Sequence, residues 1–196
     1  MNYPLLCLLG MLGWPSNSSA QPAPTSAGLY RSAEDFRQNR LTLETPATTA
    51  SFRVRLHEWP FRPYLTVVHG GRKDTVQKAA VYGYRDADGR TYRLVRNQPF
   101  PVLNPTEAVL LYKVEQAPMG KNPGFVRLYF STTAAAPLQP LTLLHLKRAF
   151  PTNYRLHELL DAHFPPGSDL AAWDKFHGTT KLNWLLQRSQ AVADAH

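Results

Sequence analysis

The chain has 196 residues, of which 43% are hydrophobic and 18% are charged. These proportions exclude an intrinsically disordered chain, and the length leaves little room for two independent domains. The formal net charge of +8 favours anionic partners: an anionic glycan, a lipid headgroup or an acidic protein. Simple solubility is the other explanation of the charge.

The first twenty residues have the pattern of a secretory signal peptide. An apolar run over 4–14 is followed by small polar residues that end at Ala20. This order predicts cleavage near Ala20 and export, with the periplasm, the outer membrane and the medium left open. A buried N-terminal helix is the alternative, because no Lys or Arg precedes the run. The run is shorter than the about 20 residues that span a bilayer, so we expect no transmembrane anchor in the mature chain.

The single cysteine, Cys7, lies inside this apolar run. Cleavage near Ala20 would therefore leave a mature chain without thiols. Such a chain has no disulfides, cysteine-bound zinc, iron–sulfur cluster or cysteine nucleophile. No motif indicates any other bound cofactor, and none is expected.

Ordered structure is predicted to begin near Gly28, after a Pro-, Ser- and Thr-rich linker over 21–27. Ser32, followed three residues later by Asp35, predicts the N-cap of a short helix. From about residue 50 to 133, apolar and polar residues alternate, which is typical of strands with one buried face. We therefore expect residues 28–136 to form an antiparallel β module with a short N-terminal helix.

The clearest hairpin in this module is predicted over 76–97. Its tip is Asp86-Ala87-Asp88-Gly89, and Asp-Gly tolerates the positive φ of a tight turn. Too few oxygen ligands follow for the same segment to be a calcium loop. A Gly-rich turn is predicted at 69–73, and further strands are predicted at 52–57, 65–69, 99–103, 108–115 and 125–132.

After residue 134 the hydrophobic period becomes that of helices. The tail over 137–192 predicts about four short helices that pack on the sheet, because none is long enough to be stable alone. The third of these is predicted to start at an N-cap, Ser168, and to continue through Phe176. The predicted fold class is α+β, an antiparallel, twisted sheet of about five or six strands followed by a small C-terminal helical subdomain.

The segments GLYRSAEDF (28–36), VYGYRDADGRTYR (81–93) and LYFS (128–131), together with the tail over 140–186, resemble uncharacterised exported proteins of the Bacteroidota. The resemblance covers most of the mature chain. It implies export and a sheet followed by helices. It implies no activity, ligand or catalytic residue.

The exposed face of the predicted sheet carries the candidate ligand-binding residues. If the apolar side chains point inward, arginine and tyrosine side chains gather on the solvent side of the sheet. These candidates are Arg53, Arg55, Arg93, Arg127 and Tyr129. Lys113 and Tyr84 are expected near them. Guanidinium and aromatic groups together suit a sugar acid, a phosphate or an extended polymer. An ordinary solvated face carries the same residues. Intracellular nucleic acid is not expected as a partner, because export argues against it and no recognition motif occurs.

A weaker pattern indicates a metal site. His157 and Asp161 are four residues apart on a predicted helix, with Glu158 between them, as in a zinc-binding His-Glu-x-x-His helix. Asp174 or His177 would supply a third ligand. The solvent side of an amphipathic helix carries the same residue types.

Two functional hypotheses follow from the sequence. The first is a non-enzymatic envelope or secreted protein with a binding or structural role and a basic sheet face. The alternative is a small metal-dependent hydrolase centred on His157, Glu158 and Asp161. The sequence does not give the oligomeric state.

Overall fold

The computed structural model describes residues 26–46, 52–57, 62–117, 120–121 and 123–191. The predicted signal peptide and the first five residues of the predicted linker lie outside the described residues. Within the described residues, no helix is long and apolar enough to cross a membrane.

The described chain begins with short strands and one short helix: β1 (Ala27–Tyr30), α1 (Ala33–Arg37), β2 (Thr42–Thr45), β3 (Arg53–Arg55), β4 (Tyr64–His69), β5 (Arg72–Gln77), β6 (Gly83–Arg85), β7 (Thr91–Val95) and β8 (Gln98–Val102). Two longer strands and the helical tail follow: β9 (Leu110–Gln116), β10 (Phe125–Ser131), β11 (Gln139–Pro140), α2 (Leu143–Ala149), α3 (Tyr154–His163), β12 (Trp173–Asp174), β13 (Thr179–Thr180) and α4 (Lys181–Ala191). A single 3₁₀ turn, Lys78–Ala80, follows β5.

The strands form a large antiparallel sheet with helices after it, so the predicted α+β class is confirmed. The large sheet has eight strands in the order β11-β10-β9-β8-β7-β6-β1-β2, and β3, β4 and β5 form a separate three-stranded sheet. The prediction of one sheet with five or six strands is wrong. Strands such as β1, whose four residues are all buried, and the two-residue β11 show no alternating pattern that would reveal them.

The predicted hairpin tip at 86–89 is confirmed as the turn between β6 and β7. Gly89 has φ of 79°, and a carboxylate oxygen of Asp86 accepts the N–H groups of Asp88 and Arg90 at 3.0 and 2.8 Å. The predicted N-cap of α1 is also confirmed, since the Ser32 hydroxyl accepts the N–H of Asp35 at 3.0 Å, and the Asp35 side chain completes a capping box.

Both faces of the large sheet are covered by apolar clusters. Leu111 of β9 packs against the helices of the tail, whereas its neighbour Tyr112 packs on the opposite face with α1. Tyr92 of β7 packs against the three-stranded sheet. Because both faces are covered, alternation along a central strand does not separate buried from exposed residues.

A buried polar network joins the helical tail to the sheet. The Asn183 side chain accepts the N–H of Val109 at 2.9 Å and donates to its carbonyl at 2.8 Å. Asn104 donates to the same carbonyl at 2.9 Å. Glu107, in the loop before β9, accepts the backbone N–H of Thr180 at 2.9 Å. The start of α4 is therefore hydrogen-bonded to the β8–β9 loop, and we call these contacts the Val109 latch.

The predicted third tail helix is wrong, because residues 173–180 form the β12–β13 hairpin. Asp169 and Asp174 each accept the backbone N–H of the residue two positions later, Ala171 and Phe176. These Asx turns compete with helical hydrogen bonds. Gly178 then has a φ of 65°, which a helix cannot contain.

The Val109 latch predicts a specific loss of stability. Asn183→Ala leaves the buried N–H of Val109 without its acceptor, and we expect the free energy of unfolding to fall by about 2–3 kcal/mol. Urea unfolding followed by circular dichroism measures the change. Gln187→Ala, on the exposed side of α4, is the control and should change it by less than about 0.5 kcal/mol. Equal losses in the two variants would contradict the latch.

Candidate functional site

The structure does not gather the five predicted binding residues on one exposed face. Arg53 and Arg55 lie on β3 of the three-stranded sheet, whereas Arg93, Arg127 and Tyr129 lie on β7 and β10 of the large sheet. The five residues therefore fall into two groups on different sheets.

Arg93 is 9% exposed, so its predicted place on the solvent side is wrong. The physical reason is the cover on both faces of β7. Its Nη1 donates to the Tyr112 hydroxyl at 3.2 Å and to the Ser131 hydroxyl at 3.5 Å. Its guanidinium carbon lies 5.2 Å from the centroid of the Tyr82 ring. Among the described residues, no carboxylate forms an ion pair with Arg93.

Tyr82 belongs to the same buried cluster. Burial, reinforced by Tyr112, raises the pKa of Tyr82 far above its ordinary value, and the charge of Arg93 opposes this only in part. The phenol therefore stays protonated and donates to the carbonyl of Ala134 at 2.8 Å. The cluster thus ties β7, β9 and β10 to the loop after β10 and offers no open surface to a ligand.

Arg127 and Tyr129 lie on the same side of β10, two residues apart. The exposed Arg127 places its guanidinium carbon 4.4 Å from the centroid of the Phe125 ring. Tyr129 is partly buried, and its ring contacts that of Phe100 edge-on at 5.7 Å. Lys113, on the neighbouring strand, forms an ion pair with Glu115. Of this group, only Arg127 remains an exposed cation without a carboxylate partner among the described residues.

Arg53 and Arg55 line an open groove of about 370 Å³ between β3 and the β6–β7 hairpin. This volume falls within the range of small-ligand sites, about 300–1,000 Å³. We call it the inter-sheet groove, and its polar and aromatic walls comprise Arg53, Arg55, Tyr84, Asp86, Asp88 and Tyr92.

The cations of the groove lie on one wall. Arg53 and Arg55 are exposed and flank the partly buried Val54, so both side chains leave the same side of the strand. Their Cα atoms are about 7 Å apart, as for alternate residues of a strand. Neither forms an ion pair with any described carboxylate. Neither guanidinium group is therefore neutralised by a carboxylate in the described part of the chain.

The β6–β7 hairpin contributes aromatic rings and carboxylates to the groove. Tyr84 and Tyr92 stack with centroids 4.7 Å apart and an interplanar angle of 14°. Burial raises the pKa of Tyr92, the charge of Asp86 raises it further, and Arg90 lowers it. Tyr92 therefore remains a neutral phenol beside a fixed carboxylate. Asp88 is exposed and lies 3.8 Å from Arg90.

A second cavity, of about 490 Å³, lies beside α1 and between the loops over 105–108 and 132–134. Phe36 and Leu110 supply apolar lining, and Arg37 is its cation. Its carboxylate, Glu107, is engaged in the Val109 latch. None of the five predicted binding residues lines this cavity, so the inter-sheet groove is the stronger candidate.

The residues of the predicted metal site are engaged in packing α3 on α2. The Nε2 atom of His157 lies 3.1 Å from the carbonyl oxygen of Lys147 and 2.9 Å from that of Phe150. Both oxygens are acceptors, so Nε2 carries a proton and donates. Asp161 binds the Lys147 ammonium at 2.7 Å. The third predicted residue, Glu158, pairs with an arginine one turn earlier on α3.

The two further ligands considered for that metal site lie elsewhere. Asp174 and His177 are on the β12–β13 hairpin and hydrogen-bond each other at 2.8 Å. In the described part of the chain, no three His, Cys, Asp or Glu side chains are grouped so that they could hold a metal ion. The structure therefore does not assemble the predicted hydrolase centre.

The sequence predicts Tyr84 near Arg53 and Arg55, but it indicates no role for Tyr92 and indicates only a turn for Asp86 and Asp88. Their contact with β3 joins two sheets that no local pattern connects. A polar Asp-x-Asp-Gly turn with tyrosines on both flanking strands is the sequence signal that could have indicated this part of the groove.

Comparison with known proteins places the chain in no family. No family model matches it, and neither a curated protein nor a solved structure is significantly similar. The fold and the groove alone define the class: an α+β protein with an open groove lined by two arginines and two stacked tyrosines.

The groove predicts a coupled titration. Asp86→Asn removes a negative charge that disfavours the Tyr92 phenolate, so we expect the pKa of Tyr92 to fall; the amide oxygen still accepts the hydrogen bonds of the turn. Absorbance at 295 nm, with Tyr92→Phe subtracted, measures the shift. Asp88→Asn is the control and should leave the pKa closer to the wild-type value. An unchanged titration in Asp86→Asn would contradict the assigned contact.

Proposed function

We propose that the chain is an exported, non-enzymatic binding protein that takes an anionic glycan, a polymer of sugar acids, into the inter-sheet groove. The observation that carries the proposal is that Arg53 and Arg55, both exposed and without a carboxylate partner among the described residues, line a groove of about 370 Å³. Export is supported by the predicted signal peptide and by the resemblance to exported proteins.

The chemistry of the groove suits a sugar acid on both walls. A guanidinium group binds a carboxylate with two parallel hydrogen bonds. Two such groups on alternate residues of β3 present cations to successive acidic groups of a polymer. Sugar hydroxyls are donors that the Asp86 and Asp88 carboxylates can accept, and the Tyr92 phenol can donate in return.

The carboxylates of the β6–β7 turn favour a glycan over the other anionic partners. An acidic peptide or a phosphate headgroup brings mainly acceptors, which the Asp86 carboxylate disfavours. A sugar acid brings one carboxylate and several hydroxyls on each ring, so it satisfies both walls at once. The same mixed chemistry explains why aromatic residues accompany the arginines.

The test compares two double variants of equal charge. Arg53→Gln/Arg55→Gln removes the groove cations, and Arg72→Gln/Lys73→Gln removes two exposed cations from β5, the other edge of the same sheet. Isothermal titration calorimetry with oligogalacturonate at low salt should show at least a tenfold loss of affinity for the first variant, because charge-assisted hydrogen bonds each contribute about 1.5–3 kcal/mol. The β5 variant should lose less than about threefold.

Equal losses in the two variants would show attraction to net charge alone and would contradict the groove. Absence of measurable binding by the wild-type protein would contradict a sugar-acid ligand. Arg127→Gln should behave as the β5 variant does, because Arg127 belongs to the other sheet.

A further inference from the structure

The turn of the β12–β13 hairpin holds aromatic side chains in solvent. Phe176 is 91% exposed, more than any other large hydrophobic residue in the described part of the chain, and Trp173 is 55% exposed. Two large aromatic residues this close in sequence leave substantial apolar surface in water. An apolar environment outside the chain would stabilise them.

The exposure of Phe176 follows from a tightly held turn. The Asp174 carboxylate accepts the N–H groups of Phe176 and His177 at 3.0 and 3.2 Å. The His177 ring stacks on Trp184 of α4 with centroids 4.5 Å apart, and Trp184 packs against the core of the helical tail. The tip is therefore preorganised, so little conformational entropy is lost when it inserts into a binding partner.

The tip carries an unpaired positive charge. Lys175, next to Phe176, is exposed and has no ion pair with any described residue. The Arg188 guanidinium carbon lies 5.4 Å from the centroid of the Trp184 ring. The nearby carboxylate, Asp174, is engaged by His177, whose hydrogen bond lowers the pKa of Asp174. An anionic surface therefore complements the tip.

We propose that the β12–β13 tip attaches the protein to the surface of an anionic lipid bilayer. Phe176 and Trp173 enter the interfacial region, where aromatic side chains are stabilised, and Lys175 and Arg188 contact the phosphate groups. A protein partner fits less well, because a stable protein interface buries about 800 Å² on each side, and a two-residue projection provides much less. This inference is independent of the groove and its ligand.

Vesicle co-sedimentation tests the attachment. The probes are vesicles of phosphatidylcholine with phosphatidylglycerol, and vesicles of phosphatidylcholine alone. The full chain and a form that begins at Gln21, which retains every described residue, are both used. We expect the wild-type protein to prefer the anionic vesicles, and Phe176→Ala to lower the partition coefficient about tenfold. Lys175→Gln should weaken binding to anionic vesicles about threefold and leave binding to neutral vesicles unchanged.

Tyr154→Ala is the matched control. Tyr154 is 73% exposed on α3, so it tests whether any exposed aromatic residue has the same effect, and it should change binding less than twofold. Quenching of Trp173 fluorescence by lipids brominated near the headgroup, with Trp173→Phe subtracted, should report insertion directly. Arg53→Gln/Arg55→Gln should retain vesicle binding, which separates this result from the glycan experiment.

Three outcomes would overturn the proposal. One is wild-type protein beginning at Gln21 that does not bind anionic vesicles. The second is that the Phe176→Ala variant binds the vesicles as tightly as the wild-type protein does, which would show that charge alone causes the binding. The third is an equal loss in Tyr154→Ala and Phe176→Ala.

Discussion

The peptide group of Val109 is the point on which the arrangement of sheet and tail depends. Val109 lies immediately before β9, where it is buried and its backbone polar atoms need partners. The Asn183 side chain supplies an acceptor and a donor at once, as a neighbouring strand would. A side-chain amide can do this because it carries both a carbonyl acceptor and an N–H donor. The position of α4 on the sheet follows from that pairing.

The latch has consequences beyond α4. Glu107 binds the backbone of Thr180 immediately before α4 begins, so the second strand of the β12–β13 hairpin is fixed with the helix. Trp184, one turn into α4, then provides the surface on which His177 stacks. The exposure of Phe176 therefore depends on a series of contacts that begins in the sheet. A helix over the same residues, as their spacing suggested, would have turned these aromatic side chains toward the core.

The sequence predicted best those features that depend on neighbouring residues. The turn at 86–89 and the capping box at Ser32 each rest on side-chain hydrogen bonds within four positions along the chain. The helix α3 has three buried leucines on one face, and its pattern was unambiguous. In contrast, the hairpin after Ser168 was misassigned because apolar residues spaced by three also occur where Asx turns direct the backbone.

The candidate site was only half predictable for a related reason. The alternation of apolar and polar residues along the strands predicts that Arg53, Arg55 and Arg93 all lie on the strand face opposite the apolar side chains. It could not show that β7 is covered on both sides, or that β3 belongs to a separate sheet. Arg93 consequently lies among neutral hydroxyls and the Tyr82 ring, which replace water around a charge that would otherwise be costly to bury. Its role is to join strands.

The net charge favours anionic partners but does not locate their binding site, which depends on the groups around each unpaired cation. Arg40, Lys113, Lys147 and Arg155 each have a carboxylate within ion-pair distance, so their fields largely cancel a short distance away. Arg53, Arg55 and Lys175 are among the cations that lack such a partner in the described part of the chain. The first two line a groove together with carboxylates and tyrosines, which suits a hydroxylated anion. Lys175 adjoins solvent-exposed aromatic rings, which selects an anionic surface with an apolar layer beneath it. The surroundings of each unpaired cation therefore determine which anion it can bind.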